Sequence, residues 1–213
     1  MQFVVLDHLT IIIYYFMRST VLAFIITATT ILSSFTFKER ADNYVVDVKK
    51  STLKWTAYEV VGQHTGTVKI SNGTLVANGN NLSGGSFTAD MNSIVISDLK
   101  GNSNKTLMNH LKADDFFSVY NHPTATFTIT KVSPGTDRVN ITGNLSIKGV
   151  VNSITFPATV KIQNNQISAV AENIRVDRTK YDIKYRSESI FGDIGDKAIK
   201  DEFQLSVNLV AKK

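Results

Sequence analysis

From Tyr44 to the C-terminus, apolar and polar side chains alternate with a period of two, and no other feature limits the possible folds as strongly. Leu53, Trp55 and Ala57 alternate with Thr52, Lys54 and Thr56. Gly66, Val68 and Ile70 alternate with Thr65, Thr67 and Lys69, and Phe87, Ala89 and Met91 with Ser86, Thr88 and Asp90. In the second half Ala125, Phe127 and Ile129 are separated by a row of threonines, a residue that suits the exposed face of a strand. The runs Val139 to Ile147, Ile154 to Ile162 and Phe203 to Leu209 follow the same rule. The pattern predicts an antiparallel sheet whose strands each bury one face.

Turn residues divide these runs at Ser71-Asn72-Gly73, Asn78-Gly79-Asn80-Asn81, Ser133-Pro134-Gly135, Lys148-Gly149 and Asn164-Asn165. Their short spacing predicts meander connections. The pattern is interrupted from Gly101 to Lys112, where Ser103 or Asn104 could N-cap a short helix with Leu107, Met108 and Leu111 on one side. About eight strands with apolar faces must protect their edges, by closing into a barrel or by pairing as a sandwich. Period two is compatible with both.

Composition narrows the function. The chain has 213 residues, 43% hydrophobic and 19% charged, and no cysteine. Disulfide scaffolds, cysteine-ligated zinc, a thiol nucleophile and a lipidated cysteine are thereby excluded. The net charge is +5, yet Arg175, Arg178, Lys180, Lys184 and Arg186 are interleaved with Asp177, Asp182 and Glu188. That mixture argues against a phosphate-tracking stripe and nucleic acid, and favours at most a transient contact with anionic lipid headgroups.

Residues 1–40 read as an export leader and residues 41–213 as one domain. Met17 to Phe37 carry one basic residue, an apolar run from Val21 to Leu32, and then small polar residues. The run is shorter than the about 20 residues that a membrane span needs, so a signal peptide is favoured over an anchor reaching from Leu9 to Leu32. Asp7 and His8 precede Arg18, which points to Met17 as the true start. The expected location is periplasmic or secreted.

Catalytic constellations are missing from the sequence. His64, His110 and His122 lack metal-ligand spacing, and the pairs Asp114 with Asp115 and Asp193 with Asp196 have no complementary base. No nucleophile elbow occurs. The expectation is a non-enzyme with neither metal nor cofactor. What remains is a set of large inward-face side chains: Trp55, Val68, Phe87, Met91, Phe127, Ile129, Leu145, Ile147 and Phe156, with Leu107, Leu111, Phe116 and Phe117 at the helix. They line a ligand cavity or fill a solid core, and composition alone does not choose.

Several segments carry a family likeness. Asn109-His110-Leu111-Lys112-Ala113-Asp114-Asp115-Phe116-Phe117, followed by His122-Pro123-Thr124-Ala125-Thr126-Phe127, resembles the H-L-x-x-x-D-F…(Y/H)-P-x-A-x-F signature of the YceI-like family. Ile141-Thr142-Gly143-Asn144-Leu145-Ser146-Ile147-Lys148-Gly149-Val150 is similar to its I-T-G-x-L-x-(I/L)-x-G-V segment. Leu53-Lys54-Trp55, Gly62 to Val68 and Gly84-Gly85-Ser86-Phe87 agree in order and spacing, so the likeness runs from about Tyr44 to Lys213. The segments Asp177 to Tyr181 and Gly195-Asp196-Lys197 resemble the version found in the Bacteroidetes.

The resemblance implies an antiparallel, eight-stranded, lipocalin-like barrel with a short helix near one end. It also implies export to the periplasm or beyond, long polyisoprenoid chains or similar lipids as ligands, and no catalytic residues. A polar headgroup would then lie near the barrel mouth, where Asn109, His110, Arg175, Arg178 and Lys180 are the candidates. The rival expectation is a structural or interaction barrel filled by Trp55, Phe87, Phe127 and Phe156, with its function in the loops. An exposed face of threonines and lysines argues against a large obligate apolar interface.

Overall fold

Every strand among the described residues pairs antiparallel with its neighbours, and the pairing runs in a full circle. The computed structural model describes residues 41–192, 195 and 198–213, together with Ile13. The leader and the Met17 start lie otherwise outside the described residues. The strands are β1 (Ala41–Val46), β2 (Thr52–Glu59), β3 (Gln63–Asn78), β4 (Asn81–Ile96), β5 (Thr124–Pro134), β6 (Val139–Ile147), β7 (Val150–Gln163), β8 (Gln166–Asp177) and β9 (Ile199–Lys212). Helix α1 (Gly101–Lys112) joins β4 to β5, and a short helix α2 (Glu188–Phe191) lies between β8 and β9.

β3 through β9 each pair with the next in sequence, and β2 closes the circle by pairing with β9 on one side and β3 on the other. β1 pairs with the C-terminal halves of β3 and β9, in line with β2. β1 and β2 are therefore one stave interrupted by Asp47–Ser51, and the nine strands make an eight-stave barrel. Ser51 bridges the interruption: its hydroxyl accepts from the Val210 N–H at 3.0 Å and donates to the Val210 carbonyl at 3.4 Å. Every stave has a partner on both sides, with β7 and β8 joined through Thr159–Gln163 and Gln166–Val170 alone, so the barrel alternative is the one realised.

The turn expected at Ser71-Asn72-Gly73 is instead strand interior. β3 runs through it as a bulge, with register shifts between Thr67 and Lys69 and between Ile70 and Asn72 opposite β4. Gly73 is needed there because a Cβ would lie 2.8 Å from Phe87 Cβ and 2.9 Å from the Val46 side chain. The remaining turns fall where expected, and Asn164 and Asn165 both take positive φ, as a tight hairpin turn requires.

All the long connections lie at one end of the barrel. α1 and the segment to Pro123 leave from β4, and the stretch from Arg178 to Ala198 leaves from β8. The helix starts earlier than expected: its N-cap is Lys100, without a side-chain cap. Asn104 lies inside the first turn, where its amide donates to the carbonyls of Ile96 (3.1 Å) and Leu99 (3.0 Å) and ties the helix to the end of β4. His110 and Lys112 occupy the last turn, where the helix dipole favours positive charge.

Arg178 holds the second connection. Its guanidinium, 3% exposed, donates to the carbonyls of Ile183, Tyr185 and Ile199 at 2.9 Å and of Lys200 at 3.0 Å. Asp201 lies 3.7 Å away. Burial lowers the Arg178 pKa, and Asp201, Asp177 and Glu188 oppose that shift. The connection is thus folded back onto the start of β9 by one side chain. Arg178→Met keeps much of the stem but orphans these carbonyls, so denaturant unfolding should show a loss of about 3 kcal/mol or more. The matched change Arg175→Met, on an outward side chain that is 71% exposed, should stay within about 0.5 kcal/mol of the parent. Equal losses for the two would reject the staple.

Candidate functional site

The inward faces of the staves do not fill the barrel. They border an elongated lumen from Leu111, Phe116 and Arg178 at the α1 end to Leu82 and Leu209 at the opposite end. About 140 Å³ remains in which the centre of a water-sized sphere can move. Of the lining residues, only Thr126, Arg178 and Lys200 are polar or charged. Such a space excludes water in favour of an apolar body, since no set of polar groups is available to hold ordered water.

Two kinds of residue create the space. Alanines stand on the lumen face of several staves, among them Ala57, Ala89, Ala125, Ala158, Ala169 and Ala171. Glycines let aromatic rings lie against the wall. A Cβ on Gly66 would come within 2.6 Å of the Trp55 ring, and a Cβ on Gly143 within 2.3 Å of the tip of Phe127. Phe127 contacts Phe87 at 5.8 Å and Phe156 at 5.4 Å between ring centroids, so three rings from β4, β5 and β7 form an aromatic band across the lumen. Such tilted pairs contribute about 0.5–1.5 kcal/mol each beyond their area.

The lumen wall includes Trp55, Val68, Phe87, Met91, Leu111, Phe116, Phe117, Phe127, Ile129, Leu145, Ile147 and Phe156. Leu107, expected among them, lies in a groove outside, beside Leu99, His64 and His110, because only the last turn of α1 reaches the mouth. The wall residues that sequence reasoning passed over include Ala169, Ala171 and Ile174 of β8 and Lys200 of β9. The alternation of Ile167, Ala169 and Ala171 was their one signal, broken after Ala171 by a register shift at which Asn173 takes positive φ. The indole N–H of Trp55 is buried and finds no acceptor among the described residues.

The five headgroup candidates do not converge. Arg178 alone borders the lumen, with most of its donors bound to carbonyls and its guanidinium 6.0 Å from the Phe116 ring centroid. His110 faces the outer groove, 3.2 Å from Asp115, and its ring packs edge-on against Tyr185 at 4.3 Å and Phe116 at 5.3 Å. His110, Tyr185 and Phe116 thus form an aromatic partition between groove and lumen. Asn109 is exposed on α1. Arg175 and Lys180 are surface side chains near Glu202 and Asp177 respectively.

The other described histidines also have local partners. His122 packs against the turn glycine Gly149, and His64 Nδ1 lies 2.7 Å from Asp98 Oδ2. Asp98 also accepts from the Thr65 N–H at 2.8 Å. Burial works to raise the Asp98 pKa but is outweighed by the bonds from His64 and Thr65, which hold it below the usual carboxylate value. A carboxylate depressed in the folded state stabilises above its unfolded pKa and loses that contribution as pH falls through the folded value. The stability advantage of the parent over Asp98→Asn should therefore be full near neutrality and fade below the ordinary carboxylate range. Denaturation midpoints of both proteins across that range check this, and a pH-independent difference would contradict it.

Comparison with known proteins agrees with this architecture. The barrel of BcnA from Burkholderia cenocepacia superposes with a TM-score of 0.63 at 22% identity, covering 78% of this chain and 99% of that one. A polyisoprenoid binding domain from Saccharophagus degradans, implicated in plant cell wall breakdown, superposes with a TM-score of 0.57 at 14% identity, covering 79% and 97%. A UPF0312 protein of Pseudomonas paraeruginosa is 42% identical over 50 residues, which is 24% of this chain and 26% of that relative, so the match spans about a quarter of its length. The model of the YceI-like domain matches residues 44–211, the whole barrel, and the chain belongs to the YceI-like family.

Proposed function

We infer that this protein is an exported, non-catalytic carrier that holds one long apolar chain, a polyisoprenoid or similar lipid, inside its barrel. The observation that carries this reading is the lumen itself, bordered from end to end by aliphatic and aromatic side chains. Burying a hydrocarbon contributes about 0.8 kcal/mol per CH₂, so a chain of a few tens of carbons binds tightly without a strong polar contact. The likeness to a polyisoprenoid binding domain supports the same ligand class.

The orientation of the ligand follows from the few polar groups. Arg178 and the partnerless indole N–H of Trp55 both stand toward the α1 end, so an oxygen-bearing ligand terminus belongs there. At the opposite end the wall consists of Leu75, Leu82, Ile141 and Leu209, which suit the hydrocarbon tail. The leader read from residues 1–40 supports a place in the periplasm or the exterior, where an insoluble chain needs an escort between lipid phases.

The lumen as shaped is narrow. A dry cavity of about 150 Å³ accepts a body the size of benzene, so a long chain needs several times the present 140 Å³. The Phe87, Phe127 and Phe156 rings are the side chains that must turn to admit it. Trp55, the single tryptophan, lies in the wall and reports occupancy directly. Energy transfer from Trp55 to a dansyl-tagged isoprenoid should saturate at one ligand per barrel, and its absence would overturn the carrier reading. Phe127→Ala should widen the lumen and favour longer or bulkier chains. Its stability cost should fall below the about 3–5 kcal/mol of a Phe truncation in a solid core. Gly143→Ala, which drives the Phe127 ring inward, should weaken uptake, whereas Thr126→Ala should leave stability nearly unchanged. A full core-sized loss for Phe127→Ala without saturable uptake by the parent would instead fit a filled structural barrel.

A further inference from the structure

The exposed apolar side chains are distributed unevenly over the barrel. Val60 and Val61 form the tip of the β2–β3 hairpin, Tyr120 lies between α1 and β5, Val151 follows the β6–β7 turn, and Ile190 and Phe191 end α2. All of these connections lie at the end that carries α1. Tyr120 is 94% exposed, Val61 74%, Val151 58% and Phe191 55%. Val95, near the end of β4 that leads into α1, is exposed on the same half, and among the other described barrel residues only Val45 and Val48 are large apolar side chains of comparable exposure.

We propose that this end of the barrel docks on the surface of an anionic lipid bilayer. Four separate connections around the mouth each present one or two apolar side chains, with polar residues between them. A stable protein interface requires a contiguous and well-packed patch, whereas a bilayer surface accepts separate tips that sink individually among the headgroups. Tyr120 and Phe191 are aromatic side chains of the kind that settle at such a boundary.

Charge adds a smaller contribution. At this end Asp182 and Glu188 are ion-paired with Lys184 and Lys200, Asp98 and Asp115 lie against the His64 and His110 rings, and Glu59 and Asp114 have no cation within ion-pairing distance among the described residues. Lys100, Lys105, Lys148 and Arg186 on the same connections supply attraction to anionic headgroups. The partner's purpose rests on the reading of the lumen given above: an insoluble chain passes between bilayer and barrel without crossing water only if the mouth meets the bilayer.

Flotation of the exported protein, purified from its own host, with vesicles of phosphatidylcholine and phosphatidylglycerol tests this. The parent should float, less so at high salt and less so with phosphatidylcholine alone. The double variant Val61→Ser, Phe191→Ser should lose partitioning by about tenfold, because two apolar anchors are removed. Val45→Ser, on the opposite part of the barrel and equally exposed, should float as the parent does. Docking is overturned if the parent stays with the soluble fraction, if the double variant floats unchanged, or if Val45→Ser loses as much. Uptake of the dansyl isoprenoid from solution, measured on the same proteins, separates the two ideas. The double variant should load normally there, and a parent that floats yet takes up no isoprenoid would contradict the lumen reading while supporting docking.

Discussion

The pairing of β2 with β9, some 150 residues apart in sequence, is the interaction on which the rest of the molecule depends. Without it the meander would be an open sheet with two long edges and an apolar face that no second layer covers. With it, every stave has two neighbours, and each inward side chain is shielded from water on all sides. The β1–β2 stave carries this joint, and it tolerates its own interruption because Ser51 restores the hydrogen bonds that a continuous strand would have made to Val210. Closure contributes the enclosed space but not its shape.

The shape comes from the distribution of small and large residues over the inner wall. An eight-stave barrel has an interior that side chains can fill or that can hold one small ligand. Here the alanines of β7 and β8 and the glycines beneath Trp55 and Phe127 tip that balance toward space. The same glycines place the rings flat, so the aromatic band narrows the lumen without sealing it. At the α1 end the architecture changes character: the buried Arg178 guanidinium organises a polar connection, and His110, Tyr185 and Phe116 divide the lumen from the groove outside. One end is therefore built from irregular chain and the other from tight turns.

Much of this was legible from the period-two pattern. The strand faces of Trp55, Phe87, Phe127 and Phe156 were readable because large apolar residues alternate there with threonine, lysine or serine. The presence of the helix, though not its start, was readable because the alternation stops at Gly101 and resumes after Pro123. The misreadings have local physical causes. Ser71-Asn72-Gly73 has the composition of a turn, but a bulge uses the same residues for the same conformational freedom. Strand β8 gave a weak signal because its inward residues include alanines, and Asn104 looked like a cap although its amide serves the preceding strand. Arg178 read as one cation of a mixed-charge cluster and a headgroup candidate, because nothing local announces four carbonyls brought together from two segments. Long-range closure and buried polar networks are properties of the assembled chain, and spacing along the sequence does not encode them directly.

The central claim is that the lumen carries a long apolar chain, and the most direct measurement is native mass spectrometry of the protein purified from its own host, followed by organic extraction. The account expects a barrel bearing one apolar adduct, released on extraction and identified as an isoprenoid or comparable lipid. Protein that leaves its host with no adduct and yields no lipid on extraction would contradict it.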